Sequence, residues 1–250
     1  MILAKTCHDI DIIQWLMDKK CEKVSSFGAL TYFTEENAPK GAPAQCYGGD
    51  CPAYENCPYA SEKIYIENVF GDWFKGSFRN TVATHEDFTE DELREVLKTS
   101  DYGKCVFRAG NNLCDHQVMN MKFSGGATAQ LTVNAFNAGG RYTRVYGTKG
   151  ELWARMSDSE ITVYTCSDNK KHSIPVQETE ESITGGHGGG DAGLVSDLYN
   201  YLSGCYEGFS VADIDVSVYN HMLGFAAEES RNNDTTVKID EFCKKYGFEY

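Results

Sequence analysis

The stretch DHQVMNMKFSGGATAQLTVNAF (115–136) decides the fold class, because apolar and polar residues alternate along it on both sides of a glycine turn. Alternation with period two is typical of strands that bury one face, and Gly125–Gly126 lies where a hairpin turn would fall. The pattern returns in RYTRVYGTKGELWARM (141–156) and EITVYTC (160–166). The sequence therefore predicts a run of antiparallel strands.

Helix-like segments flank these strands. They are DIDIIQWLMDKK (9–20), FTEDELREVLKTS (88–100), LVSDLYNYLSG (194–204) and DIDVSVYNHMLGFAAEES (213–230). In the second segment, Thr89 as N-cap and Glu92 three residues later form a capping-box pattern. The third segment ends in Gly204, which is expected to end the helix. In the first, Ile10, Ile13, Trp15 and Leu16 are expected on or near one packed face. The element order predicts an α+β fold, with an open, mostly antiparallel sheet and helices packed on one face.

The other face of that sheet is expected to be an interface. We expect Val118, Phe123, Leu131 and Val133 to be among the apolar residues of the open face. An uncovered apolar sheet face invites association. The prediction is a homo-oligomer that pairs through this face.

Charge and composition exclude several classes of partner. The formal net charge is −14, and no Lys- and Arg-rich run offsets it, which argues against binding to nucleic acid or to an anionic membrane. Apolar stretches fall short of the roughly 20 residues that span a bilayer, and the first residues do not resemble a secretory signal. We expect a cytoplasmic protein whose ten cysteines are free thiols or metal ligands.

GGGDAG (188–193) satisfies G-x-G-x-x-G, the fingerprint of a dinucleotide-binding turn. That turn follows a buried strand, whereas VQETEESIT (176–184) is polar and acidic, and Asp191 would oppose a pyrophosphate. We therefore predict that these glycines bind no cofactor. His187 lies between two pairs of glycines, which leaves two interpretations open: a loop that faces a substrate, or a structural turn.

Residues 34–62 contain four of the five prolines, which predicts an irregular insertion. Within it, the thiolates of Cys46, Cys51 and Cys57 could bind Zn²⁺, with a fourth ligand from Cys105, Cys114 or a histidine. The spacing C-x4-C-x5-C is not a standard zinc knuckle. The alternative is three reduced cysteines packed as small apolar side chains, and the usual iron–sulfur spacings are absent.

KTCHDIDIIQWL (5–16) carries a second cluster, in which His8 and Asp11 share a helix face. Spacing alone leaves two interpretations open. Asp9 or Asp11 complements the helix dipole and His8 is a polar residue at the helix start, or His8 belongs to a proton-transfer group.

Several stretches resemble the Gfo/Idh/MocA oxidoreductases, the glucose-fructose oxidoreductase and inositol dehydrogenase group. The likeness runs in order through HDIDIIQWL (8–16), the two strand-rich stretches quoted first, GGHGGGDAGLVSDLYNYL (185–202) and HMLGFAAEESR (221–231). It covers essentially the whole chain, residues 1–250. The part resembled is the C-terminal, substrate-binding and oligomerisation domain.

The resemblance implies a function and a site. It implies NAD(P)-dependent oxidation of a hydroxyl on a sugar, cyclitol or polyol, with His8 as the acid/base and Lys5, Asp9 and His187 in the substrate pocket. The family's aspartate four residues before the histidine is Ala4 here. The family binds NAD(P) on a Rossmann domain that has no counterpart in this sequence. The chain is therefore expected to be inactive alone and to depend on that domain, either in the same protein or as a separate chain.

Two other functions fit the same architecture. One is part of a glycosidase that uses bound NAD for transient oxidation of its substrate. The other is a non-catalytic scaffold domain that holds a cysteine-bound metal.

Overall fold

The computed structural model describes residues 2–67, 79–85, 87–137, 140–176, 190–207 and 214–249. The chain divides into two compact units. Unit 1 comprises Met1–Phe136 and Val218–Tyr250, and unit 2 comprises Asn137–Ser217.

Helices and short 3₁₀ turns alternate with strands along the chain. In chain order the helices and strands are α1 (Ile2–Met17), β1 (Cys21–Ala29), α2 (Ser61–Tyr65), α3 (Glu90–Thr99), β2 (His116–Phe123), β3 (Thr128–Asn134), β4 (Tyr142–Gly147), β5 (Gly150–Arg155), β6 (Glu160–Thr165), β7 (Lys170–Pro175), α4 (Gly190–Leu202), α5 (Ile214–Asn233), β8 (Val237–Lys238) and α6 (Ile239–Lys245). No helix among the described residues is long and apolar enough to cross a membrane.

The strands form two four-stranded sheets, ordered β3-β2-β1-β8 in unit 1 and β4-β5-β6-β7 in unit 2. Every pair of neighbouring strands in these sheets is antiparallel. The predicted α+β class, with mostly antiparallel pairing, is confirmed. The sequence predicted a single sheet, whereas the described strands form two.

The main core of unit 1 lies between its sheet and three helices. From the strands it takes Val24, Met119, Met121 and Phe123, which side-chain alternation places on one face. Helices α1, α5 and α6 cover that face with side chains such as Ile10, Tyr219, Leu223, Ile239 and Phe242.

Three of the four residues that the sequence assigned to the open sheet face do not lie on it, so their assignment was wrong. Phe123 is fully buried, and Leu131 and Val133 are partly buried against the same core. Leu131 pairs with Met119, so both side chains point towards the helices. Val118 alone lies on the opposite face, paired with the exposed Phe27. The sequence identified the apolar strand positions correctly. Which face of the sheet the helices cover depends on tertiary packing, and the alternation of residues alone does not decide it.

The residues that helix α1 buries near its C-terminal end differ from those that the sequence predicted. Ile2, Thr6 and Ile10 are buried at spacings of four, and Ile13 and Met17 are packed partly against the core. Trp15 and Leu16 are 62% and 44% exposed, so their assignment to the packed face was wrong. At 3.6 residues per turn Trp15 lies on the side of the helix opposite Thr6, and Leu16 lies at the edge of the buried stripe.

Unit 2 contains the sheet of β4 to β7 and the helix α4. Arg144 binds Glu151 across β4 and β5, and its guanidinium lies over the rings of Tyr146 and Trp153. Gly204 follows α4 with φ of +70°, and the N–H of Cys205 bonds to the carbonyl of Asn200. The helix-ending role predicted for Gly204 is confirmed.

Helix α3 begins at the predicted capping box. The hydroxyl of Thr89 accepts from the N–H of Glu92 at 3.2 Å, and the Glu92 carboxylate accepts from the N–H of Thr89 at 2.7 Å. This pairing satisfies two N–H groups that the first turn leaves without helical partners.

Replacing Thr89 with alanine tests this cap. We expect Thr89→Ala to lower the free energy of unfolding by about 1 kcal/mol, because an N-cap acceptor is lost. Urea unfolding followed by circular dichroism measures the change. The matched control is Ser100→Ala at the other end of α3, since the buried Ser100 hydroxyl has no hydrogen-bond partner among the described residues. Equal losses in both variants would contradict the capping role.

Candidate functional site

Lys5 and His8 lie one turn apart on the outward face of α1. Both side chains are exposed, and neither makes a hydrogen bond or ion pair among the described residues. On the same face follow Ile12, Trp15 and Leu16, which are also exposed. A charged side chain and an imidazole thus stand beside an apolar strip, which is the composition of a surface that meets a ligand or another domain.

Contacts with α5 fix the direction of that face. Asn220 donates from its side-chain amide to the Asp11 carboxylate, with N and O 2.5 Å apart. Gly224 allows α1 to approach closely, because a Cβ there would lie 2.7 Å from Cδ2 of Leu3. Asp11 therefore anchors the helix, while Asp9 is half-buried and already has an interaction partner. Of the pair that spacing placed together, His8 alone remains available to a ligand.

His187 and most of the glycine run lie outside the described residues, so its predicted place in the pocket stays a prediction. The last two glycines of GGGDAG are described, Gly190 and Gly193, and both belong to α4. Strand β7, which precedes the run, is an exposed strand at the edge of an antiparallel sheet. In the part of the chain that the structure describes, the strand before the glycines therefore does not belong to the parallel strand–helix–strand unit in which a dinucleotide turn operates.

The three cysteines of the insertion lie together. Cys46, Cys51 and Cys57 line one cavity of about 10 Å³, and Cys105 lines it with them. The rest of the wall is apolar or aromatic and includes Phe107 and Tyr59. Among the described residues around the cavity there is no histidine, and Cys114 is not one of them. We call Cys46, Cys51, Cys57 and Cys105 the four-cysteine cluster.

The thiols of this cluster interact with one another electrostatically. Burial raises the pKa of the Cys57 thiol, and Cys46, Cys105 and Cys51 raise it further. As the side chains lie, no three His, Cys, Asp or Glu residues of the described ranges are positioned to hold a metal ion. The structure thus brings the three predicted cysteine ligands and Cys105 to one place.

A group of aromatic rings packs beside the cluster. Tyr59 and Phe107 contact each other and the rings of Tyr32 and Phe33, mostly edge to face, and Phe136 stacks on Phe33. Such pairs prefer edge-to-face or offset geometry because of the ring quadrupole.

Asp115, which the sequence analysis did not single out, holds the chain at these rings. Its buried carboxylate accepts from the N–H of Thr31 at 2.8 Å, the N–H of Tyr32 at 2.6 Å and Nδ1 of His116 at 2.8 Å. Burial favours the neutral acid, but the hydrogen bonds outweigh it and lower the pKa of Asp115 to about 2. Only its position directly before a strand could have drawn attention to it.

Comparison with known proteins now identifies the family. The sequence profile of the oxidoreductase family C-terminal alpha/beta domain, the Gfo/Idh/MocA group, matches residues 1–239. The chain belongs to this family. The resemblance noted in the sequence is thereby confirmed.

Individual relatives are more distant. YteT of Bacillus subtilis (strain 168), a protein classed by name with the oxidoreductases, is 25% identical over 206 residues, which are 78% of this chain and 45% of YteT. The chain thus spans less than half the length of that relative.

Solved structures show the same fold at low identity. An oxidoreductase of Desulfitobacterium hafniense, described as NADPH-dependent, matches with a TM-score of 0.52 at 14% identity over 96% of this chain and 48% of its own. An Agrobacterium radiobacter oxidoreductase in complex with NAD⁺, L-tartaric acid and magnesium matches with a TM-score of 0.51 at 12% identity, over 96% of this chain and 49% of its own. The super-repressor mutant of Gal80p from Saccharomyces cerevisiae matches with a TM-score of 0.52 at 10% identity, over 97% of this chain and 50% of its own.

The Asp115 carboxylate should contribute a pH-dependent part of the stability. Because its pKa falls from 3.8 to about 2 on folding, the contribution is complete above pH 3.8 and is lost as the pH falls through about 2. We expect Asp115→Asn to cost about 1–3 kcal/mol at pH 7, since two N–H groups lose a charged acceptor. Urea unfolding from pH 7 to pH 2 should show the difference from the wild type shrinking below pH 4.

The control for this series is Asp240→Asn, which removes an exposed ion pair with Lys20. We expect a change of less than about 1 kcal/mol there. A difference at Asp115 that stays constant down to pH 2 would refute the assigned cause.

Proposed function

We propose that this chain is the substrate-binding half of an NAD(P)-dependent oxidoreductase that acts on a hydroxyl of a sugar, cyclitol or polyol. A Rossmann domain outside the chain would bind the nicotinamide cofactor, which accepts the hydride. The observation that carries the proposal is the outward presentation of Lys5 and His8 by α1, in a chain whose family match spans residues 1–239.

His8 would move the proton. An exposed imidazole can take the proton of a substrate hydroxyl as the neighbouring C–H gives up hydride, because its ordinary pKa lies near neutral pH. Lys5, one turn earlier on the same face, would donate a hydrogen bond or supply positive charge to the same oxygen. This role matters more here because position 4 is Ala4 and provides no carboxylate.

Asp9 would extend the pocket by binding another hydroxyl of the substrate. The carboxylate of Asp9 is half-buried beside the exposed face. A polyhydroxylated substrate fits such a set of charged and hydrogen-bonding groups. The ligand named for the Agrobacterium radiobacter structure, L-tartaric acid, is also a polyhydroxylated molecule.

The apolar strip of Ile12, Trp15 and Leu16 would receive the Rossmann domain. These three side chains lie next to His8 and are each more than 40% exposed. Burying them would place the cofactor domain against the proposed acid/base, and would exclude water from the reacting centre.

Activity of the assembled enzyme tests the role of His8. With the nucleotide-binding domain present, we expect NAD(P)⁺ reduction by members of a sugar, cyclitol and polyol panel. His8→Asn should lower kcat by about 10²–10⁴-fold, the usual range for a lost acid/base, and leave cofactor binding unchanged. The control is His172→Asn, an exposed histidine of unit 2 that pairs with Asp168.

Other outcomes would point elsewhere. An active His8→Asn enzyme would exclude His8 as the acid/base. Release of free sugar from a glycoside without net cofactor reduction would favour the redox-assisted glycosidase, and no turnover or binding across the panel would favour a scaffold. The chain alone should not quench or enhance NADH or NADPH fluorescence, and tight binding there would make GGGDAG the cofactor loop.

We also propose that copies of the chain associate through the open face of the unit 1 sheet. Phe27 is 60% exposed on that face and pairs across the strands with Val118. Phe27→Glu should shift a dimer or larger assembly towards monomer, because a charge would have to be buried. Light scattering after size exclusion measures this, with Tyr146→Glu on the unit 2 sheet as the control. A wild-type monomer would refute the proposal.

A further inference from the structure

The Pro-rich insertion has little regular structure to hold it. Between residues 34 and 60 there are two single-turn 3₁₀ helices, Glu35–Asn37 and Tyr54–Asn56, and an isolated bridge joins Gln45 to Lys104. The local core has three buried side chains, Ala42, Cys105 and Phe107. Loops longer than about 12–15 residues are uncommon in compact domains unless something else orders them. Small cores of this size are usually reinforced by a cross-link or a metal.

Backbone hydrogen bonds around the Gln45–Lys104 bridge place Cys46 and Cys105 diagonally, one residue to either side of the bridged pair. Cys46 donates its N–H to the carbonyl of Gly103 at 2.7 Å, and Cys105 donates to the carbonyl of Ala44 at 2.8 Å. Gly103 makes this pairing possible, because a Cβ there would lie 1.7 Å from the carbonyl oxygen of Leu97. Residues 44–46 and 103–105, which are distant in sequence, are thus held together, and each segment carries one cysteine of the cluster.

Backbone N–H groups also point at the sulfurs. Ser61 donates its N–H to Sγ of Cys46, with N and S 3.4 Å apart, and Tyr59 supplies a backbone hydrogen bond to Cys57. Donors of this kind stabilise a thiolate more than a thiol, because they favour the charged form. A purely apolar packing of cysteines does not need them.

We propose that the four-cysteine cluster binds one Zn²⁺ ion with Cys46, Cys51, Cys57 and Cys105 as its ligands. Four Cys–SH groups release four protons to solvent, and their sulfurs form four bonds to the ion. No oxidation or reduction takes place. The sulfurs move inward from their metal-free positions until each is about 2.3 Å from zinc in a tetrahedron, the geometry that Zn²⁺ prefers.

The cavity and the ligand number define the kind of site. A volume of about 10 Å³ has room for one water-sized sphere, which suits a single ion and is too small for an iron–sulfur cluster. Four protein ligands leave no open position for a substrate, so the site is structural. It would fix residues 46–57 to residue 105 and support the neighbouring aromatic rings. The inference is independent of the proposed oxidoreductase activity.

Metal content tests the inference directly. The full chain, purified under reducing conditions without chelator, should contain about one zinc per chain by plasma mass spectrometry, as a closed tetrathiolate site requires. Cys105→Ser and Cys51→Ser should each reduce this to less than about one-tenth. Cys114→Ser is the matched control, because Cys114 is buried like Cys105 but lies outside the cavity.

Cobalt provides a second measurement, whose first part uses only the wild type. Co²⁺ added to the metal-stripped wild type should give the visible and near-ultraviolet bands of tetrahedral thiolate coordination, and Zn²⁺ should displace it. Cys105→Ser should lose the thiolate-to-metal band intensity, and Cys114→Ser should keep it. Any of these results would overturn the inference: neither zinc nor the cobalt spectrum in the wild type, iron with sulfide in place of zinc, a disulfide within the cluster, or full zinc content in Cys105→Ser.

Discussion

Unit 1 depends on one polar contact inside an apolar core, the contact of the Tyr219 hydroxyl with the backbone of Cys21. The hydroxyl accepts from the N–H of Cys21 at 3.1 Å and donates to its carbonyl at 3.0 Å, where the β1–β2 register is irregular between Cys21 and Lys23. A buried N–H or carbonyl without a partner costs about 1–3 kcal/mol, and this phenol satisfies both groups of Cys21 where α5 covers the sheet. Burial raises the pKa of Tyr219, which keeps the phenol neutral and able to donate.

The functional surface follows from that anchorage. Ser230, further along α5, accepts the N–H of Ser26 and fixes the second point of contact with β1. With α5 set at two points, α1 has one stripe to bury, and Ile2, Thr6 and Ile10 fill it. The opposite side of α1 must then face outward, whatever residues it carries. Lys5 and His8 are therefore exposed because Ile2, Thr6 and Ile10, which have no role in the proposed reaction, pack the other side of α1 into the core.

The sequence predicted best what depends on neighbouring residues. The capping box of α3 and the glycine after α4 are local hydrogen-bond and φ requirements, and both were placed correctly. The errors in the buried face of β2 and β3 and in the exposure of Trp15 and Leu16 concern which side another element covers, and that is a non-local choice. The division of the strands into two sheets is non-local in the same sense.

Prediction of the candidate site likewise succeeded for local features and failed for contacts between distant segments. Matching His8 to a motif needed only the order of residues in one helix. Choosing Cys105 over Cys114 needed the pairing of Gln45 with Lys104, which joins segments nearly sixty residues apart. Asp115 was missed because its partners, the N–H groups of Thr31 and Tyr32, are contributed by a turn far away in sequence.

The Gln45–Lys104 bridge also has a consequence for how the protein opens. It closes a loop that contains α2 and α3, and the residues within have their own apolar cluster of Val82, Ala83, Leu93 and Leu97, separate from the core under the sheet. Such a segment meets the description of a cooperative subunit of unfolding, which can come apart at a lower free energy than the whole molecule. Closing this loop costs entropy, so whatever strengthens or weakens the bridge, or the contacts of Tyr59 with Tyr32 and Phe107, changes the population in which the loop is open while β1, β2 and the helices over them stay folded.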